Sequence, residues 1–94
     1  MRVHLTPRFK RELGRIFDFI AQDSPKTAAK FEQSLLAQLT TLSRTARDYR
    51  KSFYVDAPNA HDFIFKGYVI PYRVNDSKNE VEVLGIFKHN LWRY

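Results

Sequence analysis

The strongest constraint on the fold is an alternation of apolar and polar side chains in the last third of the sequence. Apolar residues occupy every second position of residues 68–74, so an extended chain places them on one face. After the polar residues 75–79, the alternation returns in residues 80–83, where valines and glutamates exchange places. We interpret residues 63–66, 68–74 and 80–87 as consecutive antiparallel strands of a sheet with one wet face.

Two details of this sheet need explanation. Residues 84–87 are apolar at every position except Gly85, so we expect the last strand to pass from an edge into a covered centre. Pro71 lies inside the middle strand, although proline cannot donate a hydrogen bond to a neighbouring strand. Either a bulge lies at Pro71, or its backbone nitrogen points away from any partner strand.

The first half of the chain contains two helix-start signals, Thr6-Pro7 and Ser24-Pro25. In each, a hydroxyl residue suits the N-cap and proline suits the first helical position, where its missing N–H costs nothing. These signals predict helices over residues 7–22 and 25–45, joined by a short turn. Each helix has one apolar stripe, formed by Phe9, Leu13, Ile16, Phe17 and Ile20 in the first and by Ala28, Phe31, Leu35, Leu39 and Leu42 in the second.

The order of elements predicts an α+β fold. A short N-terminal edge strand at residues 3–5 precedes a helical hairpin, and the hairpin packs on an antiparallel sheet of three to four strands. Residues 52–60 are predicted to form a loop with one short strand around residues 53–55. The 94 residues suffice for a single domain, 1–94.

Composition narrows the functional class. The chain has no cysteine, no apolar leader and no run of membrane-spanning length, so we expect a cytoplasmic protein without a thiolate metal site. We expect no cofactor. Its net charge of +6 arises in the first half, because residues 1–51 contain 11 Lys or Arg and 5 Asp or Glu, whereas residues 52–94 contain 5 of each. This distribution favours an acidic partner over nucleic acid lying on a basic sheet.

A basic cluster lies where the second helix should end. Arg44, Arg47 and Arg50 are candidate contacts for an acidic partner. The alternative is that these arginines are ordinary charges at a helix C-terminus, where cations favour the helix dipole.

The order of elements and several short motifs together resemble the RelE/ParE superfamily of bacterial type II toxins. The first half carries the resemblance through the spacing of Phe19-Ile20, Ser24-Pro25, Ala28 and Phe31. The second half carries it through the run Gly67-Tyr68-Val69-Ile70-Pro71-Tyr72-Arg73-Val74 and the final run of residues 81–88. The resemblance covers nearly the whole chain.

The resemblance implies a toxin that is held inactive by an antitoxin with an acidic or amphipathic segment. It also implies two different targets. RelE-like members cut mRNA in the ribosomal A site, whereas ParE-like members poison DNA gyrase without being hydrolases.

A RelE-like activity would need groups that move protons and a cation that stabilises the phosphorane. The candidate catalytic residues are His89, Lys88, Arg73 and Tyr94, with His89 the best proton-transfer group by its ordinary pKa. This sequence departs from the RelE pattern at Val69, where RelE-like chains carry arginine, and in a tail that is only partly basic.

We therefore expect the ParE-like branch, which the run Tyr72-Arg73-Val74 and the short tail also suit. In that branch Arg73 can instead pair with a glutamate across the hairpin. Trp92 is either a lid on the core or a partner contact. A third hypothesis is a non-toxic binding module of the same fold.

Overall fold

The computed structural model describes residues 1–88 and 91–94. In that part of the chain it has an α+β fold, as predicted. The elements in order are β1 (Arg2–Leu5), α1 (Pro7–Asp23), α2 (Pro25–Thr40), α3 (Leu42–Thr45), β2 (Ala60–Phe65), β3 (Tyr68–Asn75) and β4 (Glu80–Val83).

The four strands form one sheet in the order β1-β4-β3-β2. The pairs β2–β3 and β3–β4 are antiparallel, which confirms the two predicted hairpins. β1 is the predicted edge strand, and it pairs parallel to β4 with Val3 opposite Val81. The sheet is therefore mixed, since one strand pair is parallel and two are antiparallel. The helical hairpin separates β1 from the other three strands in the sequence.

Both helix-start signals act as predicted. Thr6 Oγ1 accepts the Phe9 N–H (3.2 Å) and also donates to the Val83 carbonyl (2.7 Å), so this cap ties α1 to β4. Ser24 Oγ accepts the Thr27 N–H (3.1 Å) at the exposed start of α2. Helix α1 ends at Asp23, one residue after the predicted end.

The second helix is shorter than predicted. It ends at Thr40, and residues 42–45 form the separate helix α3. Here the Thr40 hydroxyl donates to the Leu36 carbonyl (2.8 Å) and the Thr41 hydroxyl to the Gln38 carbonyl (2.6 Å). Such bonds from threonine side chains to carbonyls of the preceding turn compete with the regular helix and bend it.

The core lies between the helical hairpin and one face of the sheet. The predicted stripe of the second helix is buried completely, and Phe9 and Leu13 of α1 are buried with it. Ile16 and Ile20 pack at its margin. The sheet contributes the alternating residues that the sequence indicated: Ile70, Tyr72, Val74, Val81 and Val83. Burial of one such side chain stabilises the fold by about 1.5–3 kcal/mol, so this two-layer core supplies most of the driving force.

The prediction of a strand over residues 84–87 is wrong. β4 ends at Val83, and beyond it the Leu84 N–H donates to the Pro71 carbonyl (2.8 Å) before Phe87 pairs with Val69. Three steps from Leu84 to Phe87 thus lie opposite two steps from Pro71 to Val69, so one extra residue is inserted, as in a β-bulge. The bulge accommodates Pro71, whose nitrogen faces this strand and has no hydrogen to donate.

The predicted strand around residues 53–55 is also absent from the described chain. The segment before β2 pairs only through a bridge between Lys51 and His61. Val55 then packs with Ala60 and Leu84 on the face of the sheet that is opposite to the helices. We call this face the open face.

Candidate functional site

The three arginines of the predicted basic cluster have different environments. Arg44 is exposed on α3. Arg47 forms an ion pair with Asp76, and both side chains are more than half exposed. Arg50 pairs with the buried Asp62, and its guanidinium carbon lies 4.0 Å from the ring centroid of Phe53. Arg44 and Arg47 are therefore open to solvent, whereas Arg50, although its side chain is 39% exposed, is held by Asp62 and Phe53.

Asp62 is a structural residue that sequence reasoning missed. It is 1% exposed on β2. Its oxygens accept hydrogen bonds from Ser52 Oγ (2.7 Å), the Phe53 N–H (3.0 Å) and Arg50 Nε (3.2 Å). A buried carboxylate needs such partners because its desolvation is costly. These bonds fix the loop that precedes β2.

The charged side chains on the open face neutralise one another. Arg73 Nη2 lies 2.7 Å from Glu82 Oε1, which is the cross-strand pair that the sequence allowed. The Glu82 carboxylate raises the pKa of Arg73, first by this hydrogen bond and then by its charge. At the sheet edge, Arg2 pairs with Glu80 (2.7 Å), and its hydrogen bond lowers the pKa of that carboxyl.

Of the candidate catalytic residues in the described chain, Arg73 and Tyr94 lie near enough for Tyr94 to contribute, after Glu82, to the raised pKa of Arg73. Arg73 is held by Glu82, whereas Lys88 Nζ lies 5.1 Å above the ring of Tyr68. Tyr94 is exposed and stacks on Trp92, with 6.3 Å between ring centroids. His89 lies outside the described residues.

Trp92 is fastened to the body of the protein. Its indole Nε1–H lies 3.0 Å from one oxygen of Glu12 and 3.1 Å from the other, and its ring stacks on Phe87 (5.2 Å). Arg8 covers the indole at 4.2 Å. The side chain is thus packed against the body of the protein and is partly buried. A role of Trp92 in a partner contact stays a prediction.

Glu12 is the second structural carboxylate that sequence reasoning missed. Besides Trp92, its Oε1 accepts the Ile86 N–H at 3.1 Å, so one side chain of α1 holds both the bulged segment and the C-terminal residues. A Cβ built on Gly85 would lie 2.6 Å from Glu12 Oε1 and 2.7 Å from Trp92 Cζ2. A residue with a Cβ at this position would therefore force Glu12 or Trp92 to shift.

A groove of about 680 Å³ lies between α1 and the segment that follows β4. We call it the α1 groove. Apolar and aromatic side chains form most of its walls, and two cations lie among them. The lining residues are Glu12, Arg15, Ile16, Phe19, Tyr68, Ile86, Phe87 and Lys88.

Within residues 1–88 and 91–94, no three His, Asp or Glu side chains are grouped so that they could hold a metal ion. In the same ranges, no helix has both the length and the apolarity needed to cross a bilayer.

Comparison with known proteins defines the class. The family model described as the ParE toxin of the type II toxin–antitoxin system parDE matches residues 3–90. The chain therefore belongs to the ParE toxin family, which confirms the predicted superfamily and branch. A comparison with curated proteins finds no match.

Solved structures agree with this fold. The chain resembles one from the chromosomal ParDE TA system of P. aeruginosa, with a TM-score of 0.77, 20% identity, and coverage of 96% of this chain and 97% of that one. It also resembles a chain of the toxin–antitoxin complex RelBE2 from Mycobacterium tuberculosis, with a TM-score of 0.65, 18% identity, and coverage of 94% and 96%. At these identities the likeness concerns the fold.

Proposed function

We propose that this chain is a cytoplasmic toxin that stops bacterial growth by binding DNA gyrase and that a cognate antitoxin keeps inactive. Membership of the ParE toxin family over residues 3–90 is the observation that carries the proposal. Gyrase is the target that the resemblance to ParE-like toxins implies. The two similar structures, from a ParDE system and a RelBE2 complex, support an antitoxin as partner.

The geometry of the open face favours binding over RNA cleavage. A ribonuclease of this fold would need a cation free to meet the phosphate, yet Arg73 makes two hydrogen bonds to Glu82, at 2.7 and 3.0 Å. If Arg73 turned toward a phosphate, the Glu82 carboxylate would lose these hydrogen bonds. Lys88 lies against Tyr68 and has different neighbours. These contacts support a toxin that acts as a ligand of a larger enzyme.

For the antitoxin, we retain the basic cluster and Trp92 as proposed contacts. Arg44 and Arg47 extend into solvent and can meet acidic side chains, whereas Arg50 contributes mainly by holding the adjacent loop. Reversal of Arg44 and Arg47 to glutamate should weaken the complex and reduce its salt dependence, because fewer opposite charges would then meet across the interface. Unchanged affinity would restrict the cluster to a role at the helix end.

Induced expression in a host without the antitoxin tests the function. We expect growth arrest, together with gyrase-dependent DNA breaks when the purified chain is added to gyrase and plasmid. Normal growth with well-folded protein would instead favour a non-toxic binding module.

A parallel assay with translating ribosomes separates the two toxin classes. We expect intact mRNA. Site-specific cuts that disappear in a His89→Ala variant would identify a RelE-like endonuclease and overturn the gyrase proposal.

A further inference from the structure

A row of arginines follows the solvent side of α1. Arg8, Arg11 and Arg15 are separated by three and four positions, so they lie above one another on one face of the helix. Their Cα atoms span about 10 Å along the helix axis. Arg11 and Arg15 are exposed, and within residues 1–88 and 91–94 neither forms an ion pair. We call these three residues the arginine row.

Further cations continue the row at both of its ends. Arg8 lies over the indole of Trp92 at 4.2 Å, and the next residue in the chain, Arg93, is exposed. At the other end, Arg15 lines the α1 groove together with the exposed Lys88. The arginine row is therefore the middle of a longer basic surface that runs along the first helix.

Two acidic residues of α1 lie close to this surface. The Glu12 carboxylate already accepts hydrogen bonds from Trp92 (3.0 Å) and Arg8 (3.3 Å). Asp18 is exposed and lies three positions after Arg15. The five cations thus exceed the two acids by three, so the surface keeps a positive charge.

The arginine row does not stabilise the helix that carries it. Arg8 pairs with Glu12, but Arg11 and Arg15 are like charges four positions apart, and such pairs repel one another. The row also begins in the first turn of α1, which contains no acidic residue, and the positive end of the helix dipole disfavours cations there. A polyanionic partner would remove this repulsion.

From this arrangement we infer that the arginine row binds the phosphate backbone of duplex DNA, without regard to base sequence. The inference goes beyond the proposed function, because the contact needs no gyrase. The two are compatible, since DNA gyrase is itself an enzyme that holds DNA. The sheet takes no part in this contact, because its open-face arginine, Arg73, is paired with Glu82.

Three properties select this occupant. The row is charged along its whole length, whereas the centre of a protein–protein interface is depleted in charge. Guanidinium groups hold phosphates by paired hydrogen bonds, and a duplex supplies closely spaced phosphates along a row about 10 Å long. The nearest aromatic side chain, Trp92, is covered by Phe87 and Arg8, so it cannot stack on an unpaired base. This last property favours a duplex over a single strand.

The test measures binding of the purified chain to a fluorescent duplex of about 20 base pairs, by anisotropy between about 50 and 200 mM salt. Three phosphate contacts predict a slope of about −3 for the logarithm of affinity against the logarithm of salt concentration, and two unrelated base sequences should bind equally. Arg11→Gln with Arg15→Gln should weaken binding at least about tenfold and reduce the slope by about 2. Lys26→Gln with Lys30→Gln removes the same charge from exposed positions of α2 and should leave the slope unchanged.

A second measurement separates loss of charge from damage to the fold. The variant with Gln at positions 11 and 15 should be at least as stable as the wild type in thermal denaturation, because glutamine suits a helix and two like charges are removed. Arg11→Lys with Arg15→Lys keeps the charge but not the paired hydrogen bonds, so it should preserve the slope and bind more weakly. A slope that falls in the lysine variant as in the glutamine variant would contradict phosphate contact by these positions.

The remaining outcomes decide between the alternatives. If the α2 variant loses as much affinity as the row variant, net charge alone explains the binding and the inference is wrong. It is also wrong if the wild-type chain does not bind the duplex at low salt, or binds a single-stranded oligonucleotide more tightly. If the row variant binds DNA normally but no longer binds the small protein encoded by the neighbouring reading frame, the row contacts an acidic protein instead. The assay contains no gyrase, so its failure leaves the proposed function in place, and gyrase-dependent breaks test that function separately.

Discussion

At the scale of single residues, one buried and one partly buried carboxylate set the shape of the segments between the regular elements. Asp62 holds residues 50–53 against β2, and Glu12 holds residues 86 and 92 against α1. Each accepts several donors at once, so one substitution removes several bonds and leaves the donors without partners. Such networks contribute far more than exposed ion pairs of the same type.

Replacement of Asp62 by alanine should therefore reduce the free energy of unfolding by about 3 kcal/mol, because buried donors lose their acceptor and Arg50 loses its counter-charge. Asp76→Ala is the control, since it breaks the exposed pair with Arg47 and should cost less than about 1 kcal/mol. Urea denaturation of both variants measures the difference. Equal losses would contradict the structural role assigned to Asp62.

Ionisation of Glu80 makes the free energy of unfolding depend on pH in the acidic range. The hydrogen bond from Arg2 lowers the pKa of Glu80 from its ordinary value of 4.5, so the folded protein favours the ionised carboxylate. This contribution is complete above pH 4.5 and is lost as the pH falls through the lowered pKa. A Glu80→Gln variant should be less stable than the wild type near neutral pH, and the two should converge in acid. A constant difference in unfolding free energy from pH 7 to pH 2 would exclude this linkage.

At the scale of elements, the two helix-start signals, Thr6-Pro7 and Ser24-Pro25, should contribute differently to the free energy of unfolding. Thr6 caps α1 and also donates to β4, whereas Ser24 caps α2 at an exposed turn. Thr6→Ala should cost about 2 kcal/mol and Ser24→Ala about 1 kcal/mol, because only the first also loses a bond between two elements. Thermal denaturation of the pair tests this order. A larger loss in the Ser24 variant would show that the bond to Val83 contributes little.

The helices could be predicted because their signals are local. A hydroxyl, a proline and an apolar stripe lie within a few turns of one another, and the structure adds only the break at Thr41. The end of β4 could not be predicted in this way. Residues 84–87 have the composition of a buried strand, but the Glu12 carboxylate, 74 positions earlier than Ile86 in the chain, accepts the Ile86 N–H. An apolar run predicts that its side chains are buried. It does not predict the hydrogen-bond partners of its backbone, because these depend on residues far away in the sequence.

At the scale of the whole molecule, the fold could be predicted from the sequence. The surroundings of individual polar residues and the shape of the surface could not. Alternation and stripe direction predict most of the residues that enter the two-layer core, but Phe17 of the predicted first stripe is only partly buried and lies outside it. Asp62 and Glu12 have the composition of ordinary surface acids, and only the fold shows that they are enclosed by donors. The α1 groove could not be predicted for a similar reason, because the exposure of Phe19 depends on how α1 meets the sheet.

Two glycines test how the parts of the molecule are joined. Gly85 lies where α1, the bulged segment and Trp92 meet, and a Cβ there would overlap Glu12 and Trp92. Gly85→Ala should destabilise the protein by about 1–3 kcal/mol through this overpacking. Gly14→Ala is the control, because a Cβ at Gly14 in α1 has no atom within 4 Å. That variant should gain about 0.5–1 kcal/mol from helix propensity. Chemical denaturation that finds both variants equally stable would contradict the packing at Gly85.

Because Trp92 packs against Phe87 and Glu12, its fluorescence reports on the position of the C-terminal residues. The chain has one tryptophan, so its fluorescence arises from an indole that Phe87 stacks upon and Glu12 holds. Detachment of the last residues would expose that indole to water and shift its emission to longer wavelength, while the helices and the sheet stayed folded. The same emission therefore follows the attachment of the last residues without any added label.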